Sequence, residues 1–516
     1  MNFRFPLRLV NSRLARDSRR VPASLVSASR RIATKSSGDT PFAYTWLTRT
    51  PQELSPDDVV TSLSSSIAND TSPLILVTPQ FAHWLDPANE FLPKLLGRLY
   101  GQSGPLYTVA AVIDKLPNET AFCATSLQAD GPGVEGLSLL VVPELHIQGK
   151  AAPPRRIGGP ASQEPDLGIS IDAADLTTCQ IGLRLAHTIF VNGKESTLLG
   201  MRWNWENTAN DGGSYTLAES IDLSNCIVKS SSGVADIQST MTLPLHPVGQ
   251  RRKVISSMGN ILREVSKSTD PNSLAPMPAS SELEKELPRY IEDQDIVDQR
   301  VSVWALVEKP GATVSCSQDG LLESVFNGGK LHRVMSGGGG WGKKQGLLSL
   351  DPEIGFPGTT GQVDLNHLDD LFNHSTSTTS ELPPRFPDGI VGDDLSMLSQ
   401  VAAEGDFIQF YASVESTPLQ QNQPRQNKGL DDVSYCFGVV SEAEQMNSET
   451  SQAPQAGLTA LPNAFGALSE KAITYSRSMP PSIDEGQETK VWMPGPNTKL
   501  DVPGCRVTLI SVADSE

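Results

Sequence analysis

Cysteine pairs, long apolar runs, a basic excess beyond the N-terminus and hydrolase signatures are all wanting in this chain, and each lack removes a class of function. The six cysteines, Cys123, Cys179, Cys226, Cys316, Cys436 and Cys505, include no C-x-x-C pair. Zinc ribbons and thioredoxin-type redox motifs are therefore not written in the sequence, and in a reducing compartment these are expected to be buried thiols. No apolar run approaches the roughly 18 residues that span a bilayer. The longest, Leu137 to Val142 and Leu183 to Val191, have the length of strands. No G-x-S-x-G elbow and no HGGG oxyanion segment occurs. His367 and His374 flank Asp369 and Asp370, but the spacing fits neither H-E-x-x-H nor a calcium loop, so a solvated acidic segment is expected there and no metal.

Charge is distributed unevenly. The chain carries 41 basic and 59 acidic residues, a net −18. Eight arginines and one aspartate in residues 1–34 contribute +7 of this, which leaves −25 from Lys35 onward. An acidic body disfavours general nucleic-acid binding, whose affinity comes mainly from neutralised phosphates, and it disfavours anionic lipid surfaces. The first 34 residues read differently. Arg4, Arg8, Arg13, Arg16, Arg19, Arg20, Arg30 and Arg31 lie among Phe, Leu, Val and Ser, the composition of a mitochondrial transit peptide. Leu7, Leu14 and either Leu9 or Val10 can share one helix face, and residues 28–34 make a processing region. The expectation is a soluble matrix protein without a membrane span.

The most unusual stretch is Ser336 to Gly346. From Gly337 it spells G-x-x-x-x-G-K, with Gly340, Trp341 and Gly342 leading to Lys343, and then Lys344 where a phosphate-binding loop carries Ser or Thr. Glycines let backbone N–H groups crowd round an anion and lysines add charge, but without the hydroxyl the usual Mg²⁺ ligand is missing. Gly337, Gly340, Trp341, Gly342, Lys343 and Lys344 are candidates for contact with an anion or a partner, with Trp341 as anchor.

Length suggests about two or three domains. After the transit region, Ser55-Pro56-Asp57-Asp58 reads as a helix start, with Ser as N-cap and Pro at N1. Leu74 to Val77 and Leu106 to Ile113 read as buried strands. A helix from Asp86 through Phe91, Leu95 and Leu99 lies between them, ends at Gly101, and starts late or kinks at Pro93. This is a βαβ unit with a parallel pair. Residues 151–168 read as a linker. Beyond it the pattern turns toward β: Gly168 to Ile171, Leu183 to Val191, Leu198 to Trp203, Val301 to Val307 and Leu331 to Met335 are expected strands. Val254 to Val265 and Ser280 to Leu287 are expected helices, the second capped by Ser280 or Ser281. In residues 373–516, three polar tracts (375–388, 417–429 and 442–455) are expected to be mobile loops or linkers. Strands at Phe407 to Val414, Tyr435 to Val440 and Cys505 to Val512 are expected to complete the sheet of residues 169–372. The class is thus α/β and α+β: a βαβ-containing layer over 40–150, then a β-rich mixed region with long disordered loops.

Pro73 to Leu116, with its apolar strand, the adjoining Thr78-Pro79-Gln80-Phe81, a helix and a second strand, resembles the N-terminal half of FIST sensory domains. The resemblance covers residues 40–150 and includes no F-box. The chain as a whole is similar to fungal mitochondrial proteins. The resemblance implies binding of a small ligand. At the carboxyl ends of the parallel strands, where such sheets place crevices, Thr78, Gln80, His83 and Trp84 are the side chains on offer. An alternative is that His83 and Trp84 cap the core. Function therefore reads as a non-enzymatic, ligand-binding or accessory protein of FIST-like type, with a small-molecule ligand or a mitochondrial protein partner and no implied cofactor. The alternative is a phosphate- or nucleotide-binding protein using residues 337–344.

Overall fold

A strand that is apolar along its whole length needs cover on both faces, and the runs of the first region obtain it. In the computed structural model, Thr71–Val77, Leu106–Val112, Glu135–Pro143 and Phe42–Thr48 are strands with most residues buried. Ile75, Val77, Ala110 and Val112 face one way, into a cluster with Phe91, Leu95, Leu96 and Leu99 of helix Phe91–Tyr100. Leu74, Leu76, Val109 and Ala111 face the other way, into a cluster with Phe437, Phe465 and Leu509. The structure describes residues 42–512 apart from 64–66, 68–69, 102–103, 123–132, 154–163, 175, 208–212, 232–235, 271, 297–300, 312–317, 338–345, 354–364, 375–399, 415–432, 442–456 and 479–496. The transit region, most of the linker and the three polar tracts lie outside the described residues.

Thr71–Val77 and Leu106–Val112 run parallel, with Leu74 opposite Val109 and Val77 opposite Val112, and helix Phe91–Tyr100 lies between them in the chain. The helix begins just before Pro93, whose missing N–H costs nothing in a first turn. Ser55 caps Pro56–Ser62 with a complete capping box to Asp58. Glu135–Pro143 pairs antiparallel with Thr71–Val77, and Leu198–Glu206 antiparallel with Leu106–Val112.

These strands belong to a 13-stranded sheet. Its order is Leu458–Pro462, Phe42–Thr48, Glu135–Pro143, Thr71–Val77, Leu106–Val112, Leu198–Glu206, Ser214–Ser231, Asp166–Asp172, Thr178–Arg184, Ile473–Ser478 and Asn497–Leu500. Ile147–Ala151 and Asn366–His367 attach to it beside Ser214–Ser231. Strands from 40–150, 169–372 and 373–516 thus share one sheet, and 39–516 form one compact unit. Of the three C-terminal strands expected to complete the middle sheet, only Phe407–Val414 joins a sheet made otherwise of middle-region strands. Val433–Val439 and Arg506–Val512 pair with each other and, with Asp236–Thr242 and Ala464–Ser469, form a separate four-stranded sheet. It covers the second face of the large sheet.

The remaining strands close on themselves. His246–Met258, Phe407–Val414, Val301–Glu308, Lys330–Gly337, Leu348–Leu350 and Ile261–Ser266 pair in that order, each antiparallel to the next, and His246–Met258 pairs back with Ile261–Ser266. The result is a six-stranded barrel. Val254, Leu262, Val303, Ala305, Leu350, Phe410 and Ala412 fill its interior, with Ala279 and Leu283 at the start of helix Ser280–Asp293.

Two further expectations are corrected. Val254 to Val265 is a hairpin and not a helix: Met258 pairs with Ile261 across the two-residue turn Gly259-Asn260, where Gly259 has φ +58°. A Gly-Asn pair supplies the positive φ such a turn needs. Leu183 to Val191 is not one strand. Thr178–Arg184 ends early, and Ile189–Asn192 is a helical turn with Phe190 fully exposed. The mixed class of helix and strand holds. Among the described residues no helix is long and apolar enough to cross a membrane. Cys179, Cys226, Cys436 and Cys505 are buried free thiols, and Cys123 and Cys316 lie outside the described residues.

Candidate functional site

Thr78 ends the strand Thr71–Val77 and is fully buried. Its Oγ1 accepts a hydrogen bond from Gly136 N–H at 3.1 Å. Its own N–H donates to Gly136 O at 3.1 Å. No Cβ fits at position 136, since one would sit 1.9 Å from Trp46 O. Trp84, on the 3₁₀ segment Pro79–Leu85, is 3% exposed, with Phe81 edge-on at 4.9 Å and Phe91 at 4.7 Å. Gln80 and His83 lie on the same segment and are exposed. Thr78 and Trp84 are committed to pairing and packing, while the other two meet solvent. Nearby, Asp114 lies just past the second strand of the pair and is buried. Its Oδ2 accepts from Glu470 N–H at 2.8 Å, and burial pushes its carboxyl up to about 6.

The glycine run opens at the end of strand Lys330–Gly337. Gly337 lies against Leu348, where a Cβ would come within 2.2 Å of Leu348 Cδ2. Gly346, at φ +85°, lies against Pro278. Gly340, Trp341, Gly342, Lys343 and Lys344 are outside the described residues. The run leads into a strand: Gly337 pairs antiparallel with Leu348, so residues 338–347 connect two neighbouring barrel strands. A phosphate-binding loop feeds the N-terminus of a helix, whose free N–H groups do the binding. This loop has a strand in the helix's place, which weighs against the nucleotide reading.

Beside Gly337 lies a groove of about 780 Å³. One wall is helix Ser280–Asp293, through Leu283, Leu287, Pro288 and Ile291. The other is Val301–Val303 and Val334–Gly337, where two neighbouring barrel strands part company. Polar groups are few. Arg333 Nη2 donates to Ser302 Oγ at 3.2 Å, and its guanidinium stands 5.7 Å from the Trp304 ring. No carboxylate among the described residues lies within ion-pair distance of Arg333. Glu284, which accepts from Ser280 Oγ at 2.7 Å, and Glu292 line the helix side.

Below the groove, His332 is buried on the face of its strand shared with Ala305 and Val334. Its Nδ1 donates to Asp351 O at 2.8 Å, so Nε2 carries the lone pair, and Nε2 has no partner among the described residues. Burial pushes the imidazole down to about 4. On the barrel's outer side, Lys499 Nζ holds Asp351 at 2.6 Å and Glu353 at 2.8 Å, and Arg184 holds Glu353 at 2.5 Å. These pairs tie the barrel to the large sheet.

The groove was not visible as a site in the sequence, although its parts were: the helix from Ser280, the strand from Val301 and the strand through Leu331 to Met335. Among the described residues no cluster of His, Cys, Asp and Glu has the geometry to hold a metal. Comparisons with protein-family models, with curated proteins and with solved structures found no match.

Proposed function

We propose that this chain is a non-enzymatic binding or accessory protein of the mitochondrial matrix, and that it binds in the groove between helix Ser280–Asp293 and the parted barrel strands. One observation carries the reading: an open apolar groove with a few polar groups at its rim, of a volume within the roughly 300–1,000 Å³ usual for ligand sites. The resemblance to FIST sensory domains supports binding as the activity, although it drew attention to Thr78, Gln80, His83 and Trp84, which lie elsewhere. The strand after the glycine run supports binding over phosphoryl transfer.

The test uses the full chain and anilinonaphthalene sulfonate, a dye that brightens in apolar sites. Saturable binding is expected, and Met335→Glu should weaken it at least tenfold. Met335 lines the groove and is 63% exposed, so its replacement leaves the fold intact. Equal binding by wild type and variant would remove the groove from the proposal. Magnesium-dependent nucleotide turnover by the pure protein would restore the nucleotide alternative. For the address, N-terminal sequencing of the organelle-resident form should begin near residue 35, and an intact Met1 there would exclude processing.

A further inference from the structure

Val301–Glu308 and Lys330–Gly337 are paired from Val307–Lys330 to Trp304–Arg333 and no further, yet both continue as strand. Their outer sides stay paired, regularly along Val301–Glu308 and across a β-bulge between Val334 and Ser336 on the other strand. Val301, Ser302 and Val303 pair with Val414, Ser413 and Ala412, and Val334 and Ser336 pair with Leu350 and Ser349. The parted residues are therefore held extended by their other neighbours. Only the edges that face each other lack a ladder partner among the described residues. An unpaired strand edge is a template for another strand. Backbone N–H and C=O groups beside apolar side chains cost free energy until they are paired.

Resting on the binding reading above, we infer that the groove takes an extended segment of another polypeptide, apolar at alternate positions, added as a strand to the parted wall. A strand presents every second side chain to one side. Those side chains would meet Leu287 and Ile291 across the groove while the segment's backbone pairs with the parted edge, which is the general mode of strand addition. An acyl chain fills the same apolar walls but leaves the edges unpaired. A helix satisfies its own backbone and gains nothing from them. Charge narrows the segment further. Arg333 on the strand side has Asp501 in its field through Trp304 but no carboxylate at ion-pair distance among the described residues, while Glu284 and Glu292 stand on the helix side. The fitting segment carries an acidic group toward Arg333 and a basic residue toward the helix.

The experiment selects from a displayed library of random nine-residue peptides on the full-length protein, with Met335→Glu as counter-target. Enriched peptides should have apolar residues at every second position. Their synthetic forms should bind at least tenfold more weakly to Met335→Glu. N-methylation at the central peptide nitrogens should cost at least tenfold, because successive N–H groups of the segment face one or the other of the two unpaired edges. Four outcomes overturn the inference: no enrichment over the variant, enriched peptides with i, i+3, i+4 spacing, indifference to N-methylation at every position, or a concentration-dependent dimer that Met335→Glu abolishes. If the peptides fail while dye binding still depends on Met335, the groove stands as a small-molecule site. If both fail, the binding reading falls with the inference.

Discussion

Two pairs of neighbouring strands make the useful comparison in this molecule. Thr71–Val77 and Leu106–Val112 stay in register to their carboxyl ends, with Val77 opposite Val112, and both faces are covered, by helices on one side and by a second sheet on the other. Val301–Glu308 and Lys330–Gly337 pair at four positions and then separate, and the separation opens a groove. The first pair carried the sequence-level resemblance and the candidate ligand residues. The second pair carries the cavity. Apolar side chains pressing from both sides leave a sheet no freedom to open. The barrel wall parts where the neighbouring ladder carries a β-bulge between Val334 and Ser336.

The largest effect should come from breaking the cover of the first pair. Leu95 is 1% exposed between helix and sheet. Leu95→Asp buries an unpaired charge at a cost of several kcal/mol, and loss of cooperative thermal unfolding is the expected result. Met335→Glu, at the groove, should leave the melting temperature within experimental error. Similar melting curves for the two variants would mean that the two strand pairs do not differ as described.

Next in size is an opposition in pH dependence. His332, in the barrel, is held below its ordinary value. Between about pH 6.5 and 4 the unfolded chain binds a proton that the folded chain refuses, so stability falls as pH drops through that window. Asp114, beside the first pair, is held above its ordinary value. Between about pH 6 and 4 the folded chain keeps a proton that the unfolded chain has released, so stability rises as pH drops. Each effect is on the order of 3 kcal/mol, and the two oppose each other in the wild type. Urea midpoints from pH 4 to 7 should rise toward acid in His332→Gln relative to wild type, and fall toward acid in Asp114→Asn. Parallel profiles for all three proteins would show that neither group is desolvated as the structure has it.

The smallest effect concerns the two helix starts. Ser55 caps its helix through its side chain, and Ser55→Ala should cost about 1 kcal/mol. Helix Ser280–Asp293 has Ala279 at the cap position, and Ser280 Oγ donates to Glu284 instead. Ser281→Ala should therefore stay within roughly 0.5 kcal/mol of wild type. Chemical denaturation of both variants checks the contrast.

Legibility tracked the range of the interaction. Ser55 and Asp58 are three residues apart, and their capping box could be read directly. Val254, Met258, Ile261, Leu262 and Val265 fall at helical spacing, yet they form a hairpin, because Gly259-Asn260 turns the chain and the barrel rewards Val254, Leu262 and Val265 for facing inward. The turn dipeptide was the local signal that outweighed the periodicity. Thr78 directly follows its strand, and Trp84 lies on the 3₁₀ segment after it. Their commitment to Gly136 and to Phe81 and Phe91 depends on contacts that no spacing reveals.

What the amino-acid sequence determined alone is local: the arginine-rich start and acidic body, the caps, the runs apolar enough to need cover on two faces, and a mixed class of helix and strand. Tertiary structure decided which strands meet and where they stop meeting. Leu458–Pro462 lies beside Phe42–Thr48 with Pro462 opposite Tyr44, and Val301–Glu308 leaves Lys330–Gly337 after Trp304. The reason is physical. A cap or a turn is settled by atoms a few residues away, whereas the extent of a ladder is settled by every layer pressing on it, and those layers come from opposite ends of the chain.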